Sequence, residues 1–94
     1  MALVAVTDDA GGIVIIKATA RRKRIVIQNV GTVPVLLKID DDPAVNDFDM
    51  VLAGGAADRD GIGGSIILEG NHGEIKAITE DSAGTNLTVL EVYN

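Results

Sequence analysis

A chain of 94 residues is long enough for one domain and no more. It has no cysteine, so neither a disulfide nor a thiolate metal site is available, and with one Phe, one Tyr and no Trp its core has to be aliphatic. A net charge of −6 argues against a general nucleic-acid binder, and no apolar run approaches the roughly 20 residues that cross a bilayer as a helix. The start of the chain, Met1–Asp9, lacks a basic segment and loses its apolar character after a few residues, so it reads as neither a signal peptide nor a membrane span. The expectation is a soluble domain with a thin core, of the kind that gains stability by oligomerising.

In chain order, the pattern predicts strands throughout. Leu3–Thr7 is the first, ended by the turn composition Asp8-Asp9-Ala10-Gly11-Gly12. Ile13–Lys17 follows, then the basic run Arg21-Arg22-Lys23-Arg24 at the start of a third strand, Arg24–Val30. Gly31-Thr32 predicts a tight turn into a fourth strand, Val33–Ile39. Pro34 belongs at that strand's start or on a sheet edge, because it has no N–H to give to a ladder. Ser65–Glu69, Glu74–Thr79 and Asn86–Tyr93 complete the set, with Gly70-Asn71-His72-Gly73 reading as a hairpin loop. The whole reads as all-β: a small antiparallel β-sandwich or barrel of about seven strands, one domain over 1–94.

Between the fourth and fifth of these strands, 40–64 forms one long acidic, glycine-rich loop. It holds seven of the fourteen acids and five of the eleven glycines. A stretch of that length without structure of its own is unusual in so small a domain. A small structured piece is therefore expected near Asn46–Leu52, with Met50-Val51-Leu52 docking on the core. The alternative is a turn or two of helix over Pro43–Leu52, started by Asp42-Pro43 as cap and first helical residue.

Several strands are apolar on both faces. Ile13–Ile16, Val35–Leu37 and Ile66–Leu68 are continuous apolar runs, Val26 opposes Ile25 and Ile27, and Leu90 and Val92 oppose Leu87 and Val89. A one-sided antiparallel sheet alternates cleanly. Runs like these need cover on both faces. It can come from loops folding over the outer face, from a β-bulge shifting phase, or from neighbouring subunits.

No catalytic constellation is legible. The single His72 lies between glycines in a turn, there is no Cys, and so no nucleophilic triad can be assembled. Asp40, Asp42, Asp47 and Asp49 are weak candidates for Ca²⁺ ligands, because Ca²⁺ takes six to eight hard oxygens, but the register of an EF-hand is missing. Asp58-Arg59-Asp60-Gly61 is weaker still. Gly61-Ile62-Gly63-Gly64 precedes a strand rather than a helix and lacks the Gly-Lys-Ser/Thr of a phosphate loop. The reading is of a non-enzyme that needs no cofactor.

Four of the eight Lys and Arg residues sit in Arg21, Arg22, Lys23 and Arg24, on an otherwise acidic chain. Nucleic-acid modules add aromatic stackers or a broader basic face. A polybasic membrane signal adds a lipid anchor or an amphipathic helix. With neither present, the run reads as a solvated stretch beside a strand or as a contact for an acidic partner, either another copy of this chain or a larger assembly.

The string Arg24–Ile39, followed by Gly64-Ser65-Ile66-Ile67-Leu68-Glu69-Gly70 and by Leu87-Thr88-Val89-Leu90-Glu91-Val92, resembles small tailed-bacteriophage virion proteins. It is most similar to head decoration (cement) proteins and related capsid-surface β-sandwiches. The resemblance covers most of Lys17–Asn94. It implies a structural protein, made in the host cytoplasm and carried on the capsid surface of the virion. There it would bind the major capsid protein as a trimer or another symmetric homo-oligomer, with no nucleic acid and no membrane as partner. A tail or baseplate component is a variant of the same reading. A Ca²⁺-dependent β-sandwich binding module, using the acidic loop, is the alternative from a different class.

Overall fold

The structure is a computed structural model that describes residues 2–17, 22–69 and 73–93, with the backbone alone for residues 2, 22, 23 and 93. Among the described residues eight strands are formed: β1 (Ala2–Val6), β2 (Ile13–Ile16), β3 (Arg22–Asn29), β4 (Val35–Ile39), β5 (Met50–Leu52), β6 (Ser65–Glu69), β7 (Ile75–Thr79) and β8 (Thr85–Tyr93). All seven expected strands are present, and the eighth, β5, is the small structured piece foreseen inside the long loop. Among the described residues there is no helix. Over Ala44–Asp47 the chain makes a tight reversal instead, with the amides and carbonyls of Ala44 and Asp47 bonded to each other at 2.9 and 3.0 Å. Pro43 is buried and packs beside Gly12 rather than opening a helix.

The strands form two four-stranded antiparallel sheets in the orders β1-β8-β3-β6 and β2-β7-β4-β5. The pairs β1–β8, β2–β7, β3–β6 and β4–β5 nest inside one another, as in one long hairpin. Successive pairs then fall alternately into one sheet and the other. A long hairpin rolled up in this way is a jelly roll, a sandwich of two Greek keys. The expected sandwich is thus formed, with a topology of which the two predicted hairpins are not part. β3 and β4, on either side of Gly31-Thr32, lie in different sheets, and so do β6 and β7, on either side of 70–73, of which 70–72 lie outside the described residues. Only β4 and β5 are both adjacent in sequence and paired, through Val35↔Leu52, Leu36↔Val51 and Leu37↔Met50.

The core lies between the sheets and is aliphatic. Val6, Ile25, Ile27, Leu87 and Val89 from the first sheet meet Ile16, Val35, Leu37, Leu52, Ile75 and Ala77 from the second. Pro34 stands just before β4, the strand-start position expected of it. At one end of the sandwich a single polar side chain ties four elements together. Asn29, 1% exposed, donates from Nδ2 to the carbonyls of Val33 (2.8 Å) and Leu52 (3.1 Å). Its Oδ1 accepts from the Gly31 amide (3.1 Å) and the Thr85 hydroxyl (2.7 Å). Each of these atoms therefore holds two partners, which is what a buried amide needs.

Candidate docking surface

Of the four basic residues singled out in the sequence, three fall among the described residues. Arg21 lies outside the described residues. Arg22, Lys23 and Arg24 are the first residues of β3 itself, two positions earlier than expected. The pairing with β8 shifts there, from Arg22↔Tyr93 to Arg24↔Val92, so Lys23 is the extra residue of a bulge. The side chains of Arg22 and Lys23 are outside the described set. Arg24 is exposed and turns its Nε to Oε1 of Glu69 on β6, 3.0 Å away.

Arg24 stands on the outward face of the first sheet, and alternation puts Val26 and Gln28 beside it. Opposite Val26 lie Ile67 on β6 and Leu90 on β8. The row Ile67–Val26–Leu90 is therefore apolar across three strands. Val92 extends it toward Arg24, and Leu3 on β1, opposite Thr88, adds a side chain beyond. Ile67 is 59% exposed and Leu3 55%; Leu90 and Val92 are also exposed, and Val26 is half-buried. Polar groups rim the strip: Arg24 and Glu69 at one end, Gln28, Ser65 and Thr88 at the other.

In the second sheet the outward face is covered only in part: Val51, opposite Leu36, is 50% exposed, and Val14, opposite Lys76, is exposed too. Leu36 and Ile78 are cross-strand partners on that face and are only 8% and 5% exposed, although they lie outside the central core cluster. One row along, Lys38 stands directly opposite Lys76. Like charges at that spacing repel, and the acidic loop answers them. Lys38 Nζ bonds Asp47 and lies 3.9 Å from Asp41, while Lys76 Nζ bonds Asp42 and lies 3.9 Å from Glu74. The hydrogen bond to Asp47 raises the Lys38 pKa above its ordinary value, helped by the charges of Asp47, Asp41 and Asp49 against partial burial. The bond to Asp42 does the same for Lys76. The Asp49 amide donates to the Leu37 carbonyl at 2.8 Å and its Oδ2 accepts from the Ile39 amide at 2.9 Å, so the segment is fastened along β4 as well.

Of the weak Ca²⁺ candidates, then, Asp42 and Asp47 neutralise lysines, Asp49 caps a backbone amide, and Asp40 accepts from the Glu74 amide at 3.1 Å. Among the described residues no three acidic or imidazole groups converge on a point where a metal ion could sit. Asp60 has a structural task too. Its Oδ1 accepts from the Ile62 amide, and its Oδ2 from those of Ala57 and Ala56, all at 2.9 Å. Those amides hold its carboxyl below the ordinary value, the Ile62 amide most of all. His72 lies outside the described residues.

Comparison with protein-family models, with curated proteins and with solved structures returns no match. The surface has to be read on its own geometry. It offers an apolar strip on an outward sheet face with a charged pair at one end. That suits contact with another macromolecular surface.

Proposed function

We propose that this chain is a non-enzymatic structural protein of a virion, a decoration protein that docks as a symmetric oligomer on the outside of a capsid built from a major capsid protein. The observation that carries the reading is the strip Ile67–Val26–Leu90–Val92 on the outward face of the β1-β8-β3-β6 sheet. A strip of this kind on so small a domain is the mark of a partner. On the second sheet the acidic loop neutralises the outward Lys38 and Lys76, and the exposed Val14 and Val51 lie apart on its two edge strands.

Two further points support it. The run Arg22-Lys23-Arg24 begins β3 at the end of the strip, on a chain of net charge −6, which suits docking on an acidic neighbour. The jelly roll is also among the folds on which viral shell domains are built. That second point is analogy of fold, and weighs less than the surface itself. Repetition over a symmetric shell multiplies weak contacts, so each interface can be small.

The test is co-sedimentation of the purified protein with shells assembled without it. Saturable binding that weakens with added salt is expected. Protein left wholly in the supernatant at every salt concentration contradicts the reading.

A further inference from the structure

β6 ends the first sheet: among the described residues no strand lies on its far side. Edge strands are normally blunted by shortness, bulges, proline or lysine. β5 has three residues and β2 carries a register shift between Val14 and Ile16. β6 has neither protection; it is a regular five-residue strand, Ser-Ile-Ile-Leu-Glu, in unbroken register with β3. β1, the other edge of the first sheet, is also five residues in unbroken register, but it begins at Ala2 opposite Val89, so the row Ile67–Val26–Leu90 reaches an edge strand at β6 and not at β1.

The ladder fixes which backbone groups point outward. The Asn29 amide bonds Gly64 on the β6 side, and the Val30 amide bonds Asn86 on the β8 side, each at 2.9 Å. Alternate residues of an antiparallel strand bond opposite neighbours. Ile25 and Ile27 therefore bond β6 through Leu68 and Ile66, and Ser65 and Ile67 turn their N–H and C=O groups away from β3.

We propose that β6 pairs with β6 of a second copy, antiparallel, about a two-fold axis at Ile67. The pairing joins the two β1-β8-β3-β6 sheets into one. Three features make the strand complementary to itself in this register. The outward N–H and C=O of Ile67 meet those of Ile67 in the other copy as a hydrogen-bonded pair. The apolar row becomes continuous, Leu90–Val26–Ile67 running into its own mirror across the axis, while half-buried Ile66 and Leu68 on the inner face oppose Leu68 and Ile66 of the second copy. Glu69 falls opposite Ser65 of the second copy, so the two acidic side chains stay apart and each keeps its Arg24 neighbour. Shifting the axis by one residue sets Ile67 against Ser65 or Glu69 and shortens the overlap. An interface with this symmetry is isologous and closed.

The pairing deepens the symmetric assembly proposed above, and it is tested with no shell present, so it can stand or fall separately. The probe is the protein itself, by sedimentation velocity over a wide concentration range and by oxidation of single-cysteine variants of this cysteine-free chain. The wild type is expected to pass from monomer to dimer. Ile67→Pro removes an N–H that β3 does not use, and Ile67→Lys sets two charges across the axis. Either should weaken self-association about tenfold or more while leaving the circular dichroism spectrum unchanged. Paired residues at the axis lie about 5.5 Å apart between Cα atoms, within reach of a disulfide, so Ile67→Cys should cross-link to a dimer on oxidation. Leu3→Cys, on the opposite edge, should not. A wild type that stays monomeric at all concentrations, or cross-linking through Leu3→Cys in place of Ile67→Cys, overturns the proposal.

Discussion

Asn29 carries more of this fold than its polarity suggests. It sits at an inward position of β3, in phase with Ile25 and Ile27, and spends its amide on the carbonyls of Val33 and Leu52, the Gly31 amide and the Thr85 hydroxyl. Replacing it with Leu keeps the branching and the number of side-chain heavy atoms and strands those groups in the interior, where each unmet partner is costly. Asn29→Leu is expected to lower unfolding free energy by about 3 kcal/mol, read as a shift of the urea midpoint. Gly31 is constrained by the same knot: a Cβ there would stand 2.0 Å from the Thr85 hydroxyl oxygen. Gly31→Ala should cost about 2 kcal/mol through forced displacement, measured in the same way. Asp60 gives a pH signature. Its folded pKa lies below the ordinary 3.8, so the stability it contributes is fully present above that value and is lost as pH falls through the folded pKa. Melting curves of the wild type and Asp60→Asn are therefore expected to differ at neutral pH and to converge in strong acid. A gap that persists at the lowest pH would show that the charge is not what orders the loop.

Among the elements, strands were legible and their partners were not. Short β-branched runs between glycines and acids mark a strand whatever it pairs with, which is why all seven expected strands are found. Gly31-Thr32 and Gly70–Gly73 look like hairpin turns because turn chemistry records a change of direction, not the sheet reached afterwards. In a nested topology the partner of β3 is β6, and no local signal carries that pairing. The missing cue at Asn29 was its phase, since an Asn in step with two buried isoleucines must itself face inward. The two-sided apolar runs were real, and their causes divide. A register shift interrupts β2, whose Ile13 and Val14 stay exposed, intrachain cover serves Leu36 and Ile78, and Ile67, Leu3, Leu90 and Val92 keep their exposure. The pairing of the acidic loop with lysines was not legible, because Lys38 and Lys76 lie apart in sequence and meet only through β4–β7 pairing. Both lysines have raised pKa values, so their contribution is complete below the ordinary 10.5 and is lost as pH rises through the folded values. Lys38→Glu should release the 40–49 segment. The Asp49 amide, bonded to Leu37, is then expected to exchange its hydrogen faster, with β8 amides unchanged. Equal protection in both proteins would mean that the backbone bonds alone hold the loop.

For the molecule as a whole, the two sheets have different outward faces. On one, the acidic loop pairs with two lysines, and Val14 and Val51 stay exposed on the edge strands. The other carries an apolar strip, an unprotected edge and the basic start of β3. Changing Arg21, Arg22, Lys23 and Arg24 together to Ser should leave stability nearly intact, because the exposed Arg24–Glu69 pair contributes about 0–1 kcal/mol. Docking on an acidic shell should weaken and lose its salt dependence, as co-sedimentation at low and high salt would report. The central claim is that this sheet is the working surface of a virion decoration protein. Electron microscopy of shells mixed with the protein tests it most directly. The account predicts regular density on the shell exterior, with the β1-β8-β3-β6 sheets placed against a neighbour and the Ile67→Lys variant failing to order there. Bare shells, or an ordered layer in which that sheet faces solvent and Ile67→Lys binds like the wild type, would contradict it.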